Sequence, residues 1–283
     1  MDTVLLKAEN LRKTFRKDGR NIEAVKNVSF ELHRGECLGL IGESGSGKST
    51  VANLIAGLEK AEGGSLQMQA WDGSGYKDLL GKMTPAERRA YRSRLQMVFQ
   101  NPRLSFNPAM TIGQGMEEAV RYYTKMPKAE RQAQVLQRLE QVGLGPEYAK
   151  KYSSQMSGGE CQRAAIARAL MIQPELLICD EITSALDVSI QAQVMGILTR
   201  IQREMKMTCL FISHDLALVS TICDRVAVMY HGEIVEMGET EKIIHHSTND
   251  YTRALLESVF LADEETMNRY EAEKRSGGNR GRL

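Results

Sequence analysis

No apolar run in this 283-residue chain approaches the ~18 residues that a membrane-crossing helix needs. The opening Met1-Asp2-Thr3-Val4 also lacks the basic start and apolar core of a secretory leader. The expectation is a cytosolic chain that meets a membrane only through partners. Excess charge is missing too: 37 Lys and Arg stand against 36 Asp and Glu, a net of +1. A nucleic-acid binder usually shows a basic excess or stripe, so that class of partner is not expected. The five cysteines, Cys37, Cys161, Cys179, Cys209 and Cys223, have no pair spacing. They read as reduced core residues instead of disulfides or zinc ligands. The histidines offer one cluster, His245-His246, which an exposed helix end explains. No internal repeat is present, and the length allows one large domain or two small ones with a packed core.

What is present centres on Gly42-Glu43-Ser44-Gly45-Ser46-Gly47-Lys48-Ser49-Thr50. Gly, four residues, then Gly-Lys-Ser/Thr is the phosphate-loop pattern, and the apolar run Cys37 to Ile41 before it reads as a buried strand. Its three glycines let backbone N–H groups turn inward around phosphate oxygens, where the next helix adds unpaired donors and its positive end. Val51, Leu54, Ile55 and Leu58 mark that helix as apolar. Lys48 supplies a point charge, the Ser49 hydroxyl is placed to ligate Mg²⁺ bound with ATP, and Thr50 reaches deeper phosphate oxygens. A ligand-free Gly/Ser turn would not need this strand-loop-helix context.

A second apolar run, Leu176 to Cys179, ends in Asp180-Glu181, at the strand end where such sheets bind ligands. Asp180 can hold the magnesium through a water, and Glu181 can face the water that attacks the γ-phosphate. The bland alternative is an acidic start to the next helix. A third run, Cys209 to Ser213, leads into His214, which its place beside a strand end marks for a γ-phosphate contact. Ser157-Gly158-Gly159-Glu160 has capping-box spacing. Two glycines in a first turn nevertheless cost about 1 kcal/mol each against alanine, which favours a close backbone approach to something.

Alternating strands and helices imply an α/β fold with a mostly parallel sheet, and with the phosphate loop in it the chain resembles a P-loop NTPase (RecA-like) core. Residues from Val4 to Phe30, with a turn at Arg16 to Arg20, read as an antiparallel β layer over the nucleotide. The stretch from Ile112 to Ser154 is mainly helical, with Val135, Leu136, Leu139 and Val142 as its apolar marks. Arg225 to Met237 reads as a late hairpin around His231-Gly232. The chain turns charged near Asp263, and 261–283 reads as a disordered tail.

Assembled, these residues resemble the nucleotide-binding subunit of an ATP-binding-cassette transporter, from about Leu5 to Val259. The phosphate loop, Val98-Phe99-Gln100, Met156 to Glu160, Asp180-Glu181, Ser184-Ala185-Leu186-Asp187 and His214 match that family's motifs in order and spacing. The resemblance implies one ATPase domain over 4–260, with a helical subdomain inserted at about 101–156. It implies a head-to-tail dimer in which Ser157, Gly158, Gly159 and Glu160, the signature motif, meet ATP held on the partner's phosphate loop. Gln100 then reaches both magnesium and the membrane partner, Asp187 couples the two sites, and Phe15 stacks on adenine, its alternative being a packed strand residue.

A finer resemblance is to the oligopeptide, dipeptide and nickel importer group, on Phe99 to Pro108, Met110 to Gly113 and Tyr251 to Val259. It implies ATP-driven uptake of peptides or nickel and other metal chelates. The partners would be a second cassette (same chain or a paralogue), transmembrane permease subunits and, indirectly, an external substrate-binding protein. The chain would sit on the cytoplasmic face of the membrane. Met156 and Glu160 replace the family's commoner Leu and Gln, Ile182 stands where Pro is usual, and Asn249-Asp250 replace His-Pro. The last cysteine is Cys223, so no C-terminal iron–sulfur centre is expected. Rival readings are a mechanical ATPase acting on DNA or ribosomes, a regulatory cassette that scaffolds an active paralogue, and an exporter. Only 109 positions separate Lys48 from Ser157, too few for the coiled coils of repair members. The intact Glu181 and His214 argue against a regulatory cassette, and export is not expected because exporter cassettes are often fused to their membrane segment.

Overall fold

A computed structural model describes residues 3–17, 19–70 and 74–257. The expected tail, 261–283, lies outside the described residues. In chain order the elements are β1 (Val4–Lys17), β2 (Arg20–His33), β3 (Cys37–Ile41), α1 (Lys48–Ile55), β4 (Gly63–Gln69), β5 (Tyr76–Asp78), α2 (Pro85–Arg94) and β6 (Leu95–Val98). After them come α3 (Ile112–Tyr123), α4 (Lys128–Gln141), α5 (Gly158–Leu170), β7 (Leu176–Asp180), α6 (Val188–Met205) and β8 (Thr208–Ser213). The last are α7 (Leu216–Ile222), β9 (Arg225–Tyr230), β10 (Glu233–Glu239) and α8 (Thr240–His246).

Two sheets result. The larger, in the order β10-β9-β3-β8-β7-β6, is parallel except for the β9–β10 hairpin. Every residue of β3, β7 and β8 is buried, as expected of strands covered on both faces. Their side chains alternate between two cores. Cys37, Leu177, Cys179, Cys209 and Phe211 face the helices α3 to α7, whereas Leu38, Leu40, Ile178, Leu210 and Ile212 face α1 and the smaller sheet. That smaller sheet is antiparallel, in the order β2-β1-β4-β5. It confirms the antiparallel layer and extends it with β4 and β5, which the reading of residues 4–30 did not include. All five cysteines are free and buried in the helical-side core. Among the described residues no helix is long and apolar enough to cross a membrane.

Local chemistry sets the helix ends. Thr84–Glu87, Thr111–Gln114 and Ser157–Glu160 form capping boxes at the starts of α2, α3 and α5. Asp187 and Asp215 cap α6 and α7. The helix after the phosphate loop is shorter than its apolar pattern implied. Gly57, at φ 66, turns the chain so that the Leu58 N–H donates to Asn53 O and the Gly57 N–H to Leu54 O. This Schellman end leaves Leu58 55% exposed instead of in the core. Gly143 closes α4 in the same way, and of its marks Val135 and Leu139 are buried while Leu136 is 44% exposed.

The base of the larger sheet is tied to the smaller by Glu175. It accepts from Arg94 Nε at 2.5 Å and Nη2 at 3.0 Å, and from Arg34 Nη1 at 2.8 Å, while Arg94 Nη1 reaches Gln69 O at 2.7 Å. Burial raises the pKa of the Glu175 carboxyl, but the two guanidiniums outweigh it and the net shift is downward.

Candidate functional site

The phosphate loop joins the end of β3 to the start of α1, and two of its glycines are required by close backbone approach. A Cβ on Gly42 (φ 145) would lie 2.1 Å from Met229 O, and one on Gly47 (φ 107) would lie 2.1 Å from Ala24 O. Gly45 (φ 83) has open space around it, so only its left-handed backbone favours glycine there. The loop is clamped on its outer side by the Gly232 N–H, which donates to Ser46 O at 2.9 Å. Lys48 is 4% exposed, and its ammonium donates to Gly42 O and Glu43 O, each at 2.7 Å. Burial lowers its pKa, opposed by the carboxylates of Glu181, Asp180 and Glu43. With these contacts the loop is wrapped around its own cation, a charge suited to phosphate oxygens.

The carboxyl ends of β7 and β8 deliver the remaining groups. Asp180, the last residue of β7, accepts from the Ser49 hydroxyl at 3.0 Å across the gap between β7 and α1. Burial pushes the Asp180 carboxyl up; the Ser49 bond opposes this, Glu181 adds to it, and Lys48 opposes it. Glu181 holds a left-handed backbone at φ 46, uncommon for a residue with a side chain and a recurrent sign of a functional position. Its Oε2 accepts from Gln100 Nε2 at 3.0 Å, and its Oε1 lies 3.9 Å from His214 Nδ1. Gln100 Nε2 also reaches Ser184 Oγ at 3.1 Å, and that hydroxyl donates to Glu181 O at 3.0 Å. The structure therefore brings together Lys48, Ser49, Asp180, Glu181, Gln100 and His214, which lie far apart in sequence.

The other expected residues are placed elsewhere. Ser157 and Glu160 bond to each other at the start of α5, and the two glycines between them lie beside Leu186 and Ile190. A Cβ on Gly158 would sit 3.5 Å from Leu186 Cδ2, whereas one on Gly159 would meet Ile190 Cγ2 at 2.3 Å. Asp187 spends its carboxylate on the Ile190 N–H and the Ser189 hydroxyl, at 3.0 and 2.7 Å. Phe15 is half-buried opposite Ile22, with Lys13 Nζ 4.9 Å from its ring centroid. Ile22 lies two residues before Ala24, whose carbonyl covers Gly47, so the hairpin overhangs the loop.

Three contacts were not legible from the motifs. The Glu43 N–H donates to the Tyr251 hydroxyl at 3.2 Å, and Tyr251 packs on Tyr230 with ring centroids 4.0 Å apart. Arg103 Nη2 reaches Met156 O at 3.3 Å, tying the segment after Gln100 to the segment before Ser157. The Tyr148 hydroxyl donates to Glu160 Oε1 at 2.5 Å. Tyr251 lies in a stretch the sequence marks as an importer-group feature, which was a signal of place but not of partner.

Comparison with known proteins fits this geometry. A family model described as ABC transporter matches residues 25–184. The oligopeptide transport ATP-binding protein OppF of Escherichia coli (strain K12) is 47% identical over 270 residues, 92% of this chain and 79% of that protein. OppF of Haemophilus influenzae is 42% identical over 261 residues, 92% of this chain and 76% of that protein. Among solved structures, the dimeric post-hydrolysis state of the ATP-binding cassette MJ0796 bound to ADP and Pi superposes with a TM-score of 0.74. It is 28% identical and covers 83% of this chain and 99% of that one. A motif set gathered at one sheet end, a family model over more than half the length and relatives similar over most of theirs lead to one conclusion: the chain belongs to the ABC transporter family, as an ATPase cassette.

Proposed function

We propose that this chain hydrolyses ATP to power an oligopeptide importer, seated on the cytoplasmic face of the cell membrane against permease subunits. The observation that carries the reading is the convergence of Lys48, Ser49, Asp180, Glu181, Gln100 and His214 at one sheet end. Its relatives are named for oligopeptide transport, which favours peptides over nickel chelates as cargo. Residues 4–260 form the cassette, with the helices at about 101–156 as its inserted subdomain.

In this reading Lys48 exchanges its bonds to Gly42 O and Glu43 O for β- and γ-phosphate oxygens, and the loop N–H groups and Thr50 complete the cradle. The phosphate loop from Gly42 to Thr50 holds the triphosphate while Phe15 stacks on adenine. Ser49 Oγ and Asp180 Oδ1, joined at 3.0 Å, together with Gln100, which bonds the adjacent Glu181, would supply hard oxygens that suit Mg²⁺. When bound, that ion neutralises charge on the β and γ oxygens. Glu181 orients a water and draws its proton as the water oxygen attacks the γ-phosphorus. The bond from that phosphorus to the bridging oxygen then breaks, leaving ADP and phosphate. His214 contacts the γ-phosphate, and Gln100 reports its presence to the membrane subunit.

The signature residues Ser157 and Glu160 bond to each other, Gly158 and Gly159 lie by Leu186 and Ile190, and in this reading the segment acts on ATP held by a second cassette, the same chain or a paralogue, with Asp187 between the sites. Two bridging ATP molecules then favour the closed pair by their differential affinity, and hydrolysis removes the bridge. The test is turnover of the purified chain against its concentration, with size-exclusion of the Glu181→Gln variant with and without Mg-ATP. Turnover rising with the square of concentration and ATP-dependent dimers are expected where the chain pairs with itself. ATP binding without either assigns the second cassette to a different chain, and absence of ATP binding overturns the reading.

A further inference from the structure

The acidic residue of the signature segment poses an electrostatic problem that its surroundings answer. Glu160 lies in the first turn of α5, two residues beyond Gly158, so its carboxylate is within about one helical turn of the amides that the proposed function assigns to the partner's γ-phosphate. A free carboxylate there would repel a triphosphate and weaken the bridge between cassettes. Here neither oxygen is free. Oε2 accepts from the Ser157 N–H at 2.8 Å, and Oε1 accepts from the Tyr148 hydroxyl at 2.5 Å. Tyr148 belongs to a short 3-10 turn, Pro146–Lys150, and the Lys151 ammonium lies 3.8 Å from the centroid of its ring. A cation on the ring face makes the phenol a stronger donor. The Tyr148 bond leads the causes that hold the Glu160 carboxyl down at about 2, followed by Ser157, with the Lys151 charge adding a smaller direct pull.

We propose that Tyr148, backed by Lys151, is a positioning residue for ATP turnover: it holds the Glu160 carboxylate against its own chain, turned from the phosphate that the signature amides receive. The inference rests on the reading that these amides meet a nucleotide on a second cassette. It extends that reading by naming a residue outside the family's motifs on which an acidic signature depends.

The test is a double-mutant cycle in the full membrane complex, purified by way of this chain with whatever second cassette it holds, followed as kcat/KM for ATP. Tyr148→Phe removes one oxygen and keeps the ring. We expect about a tenfold loss of kcat/KM in the parent and less than about twofold in the Glu160→Gln background, where no charge needs restraint. The parent loss should shrink as salt rises from about 0.05 to 0.5 M, because the penalty is a screened repulsion. A role in folding alone would show neither rescue nor salt dependence. An effect of Tyr148→Phe below twofold, or a loss that Glu160→Gln leaves in place, overturns the inference. Gly158→Asp, whose Cβ fits its own chain at 3.5 Å from Leu186, serves as the control. If it abolishes turnover while Tyr148→Phe does not, only the inference fails. If it leaves turnover intact, the signature reading itself fails.

Discussion

Glu181→Gln is expected to lower ATP turnover by about 10²–10⁴-fold while leaving nucleotide affinity within about threefold of the parent. The amide has the shape of the carboxylate and can still accept from Gln100 Nε2, now at 3.0 Å, so the pocket keeps its form. It cannot take a proton from water, and that lost step corresponds to about 3–5 kcal/mol of activation free energy. The backbone supports the assignment: at φ 46, the side chain leaves the end of β7 toward Gln100 and His214 instead of continuing the strand's alternation. Phosphate release would be followed under saturating Mg-ATP, with affinity from a fluorescent nucleotide. Turnover within threefold of the parent would remove Glu181 from the chemical step.

The second large effect is on binding. Lys48→Ala should weaken ATP binding by at least about 10²-fold, near 3 kcal/mol, because a charge-assisted contact to the triphosphate disappears from a water-poor loop. Folding should change far less. Lys48 is 4% exposed, and among the described residues its ammonium bonds to neutral groups, the carbonyls of Gly42 and Glu43 and, at 3.5 Å, the Ser46 hydroxyl. Its removal ends a desolvation cost as well as those bonds, and we expect a net shift within about 1 kcal/mol. Calorimetric titration with Mg-ATP and urea unfolding separate the two quantities. Unchanged affinity in a folded variant would place the triphosphate elsewhere.

The motifs read well because each is local chemistry. A glycine pattern fixes a loop, an apolar run fixes a strand, and a carboxylate or histidine just past that strand falls at the same sheet end as its neighbours. The structure places Asp180, Glu181 and His214 there for that reason. The capping box at Ser157–Glu160 is legible on the same ground. Boundaries were less so. Leu58 continues the apolar period of α1, but the left-handed turn at Gly57 decides where the helix stops. β4 and β5 escaped because Gly63–Gln69 and Tyr76–Asp78 carry a weak apolar signal and gain their order from pairing with β1 and each other. Contacts between distant segments, such as Gln100 with Ser184 or Tyr148 with Glu160, depend on how turns are packed, and one sequence holds no trace of that pairing.

The most direct test of the central claim is uptake of a labelled tetrapeptide by proteoliposomes that hold the membrane complex recovered through this chain. ATP would be supplied on the cassette side and peptide with its binding protein on the other. The account predicts uptake that requires ATP and falls to background when the chain carries Glu181→Gln at full occupancy in the complex. ATP-dependent uptake at the parent rate with that variant would contradict it, since the peptide would then be moved by hydrolysis at some other site.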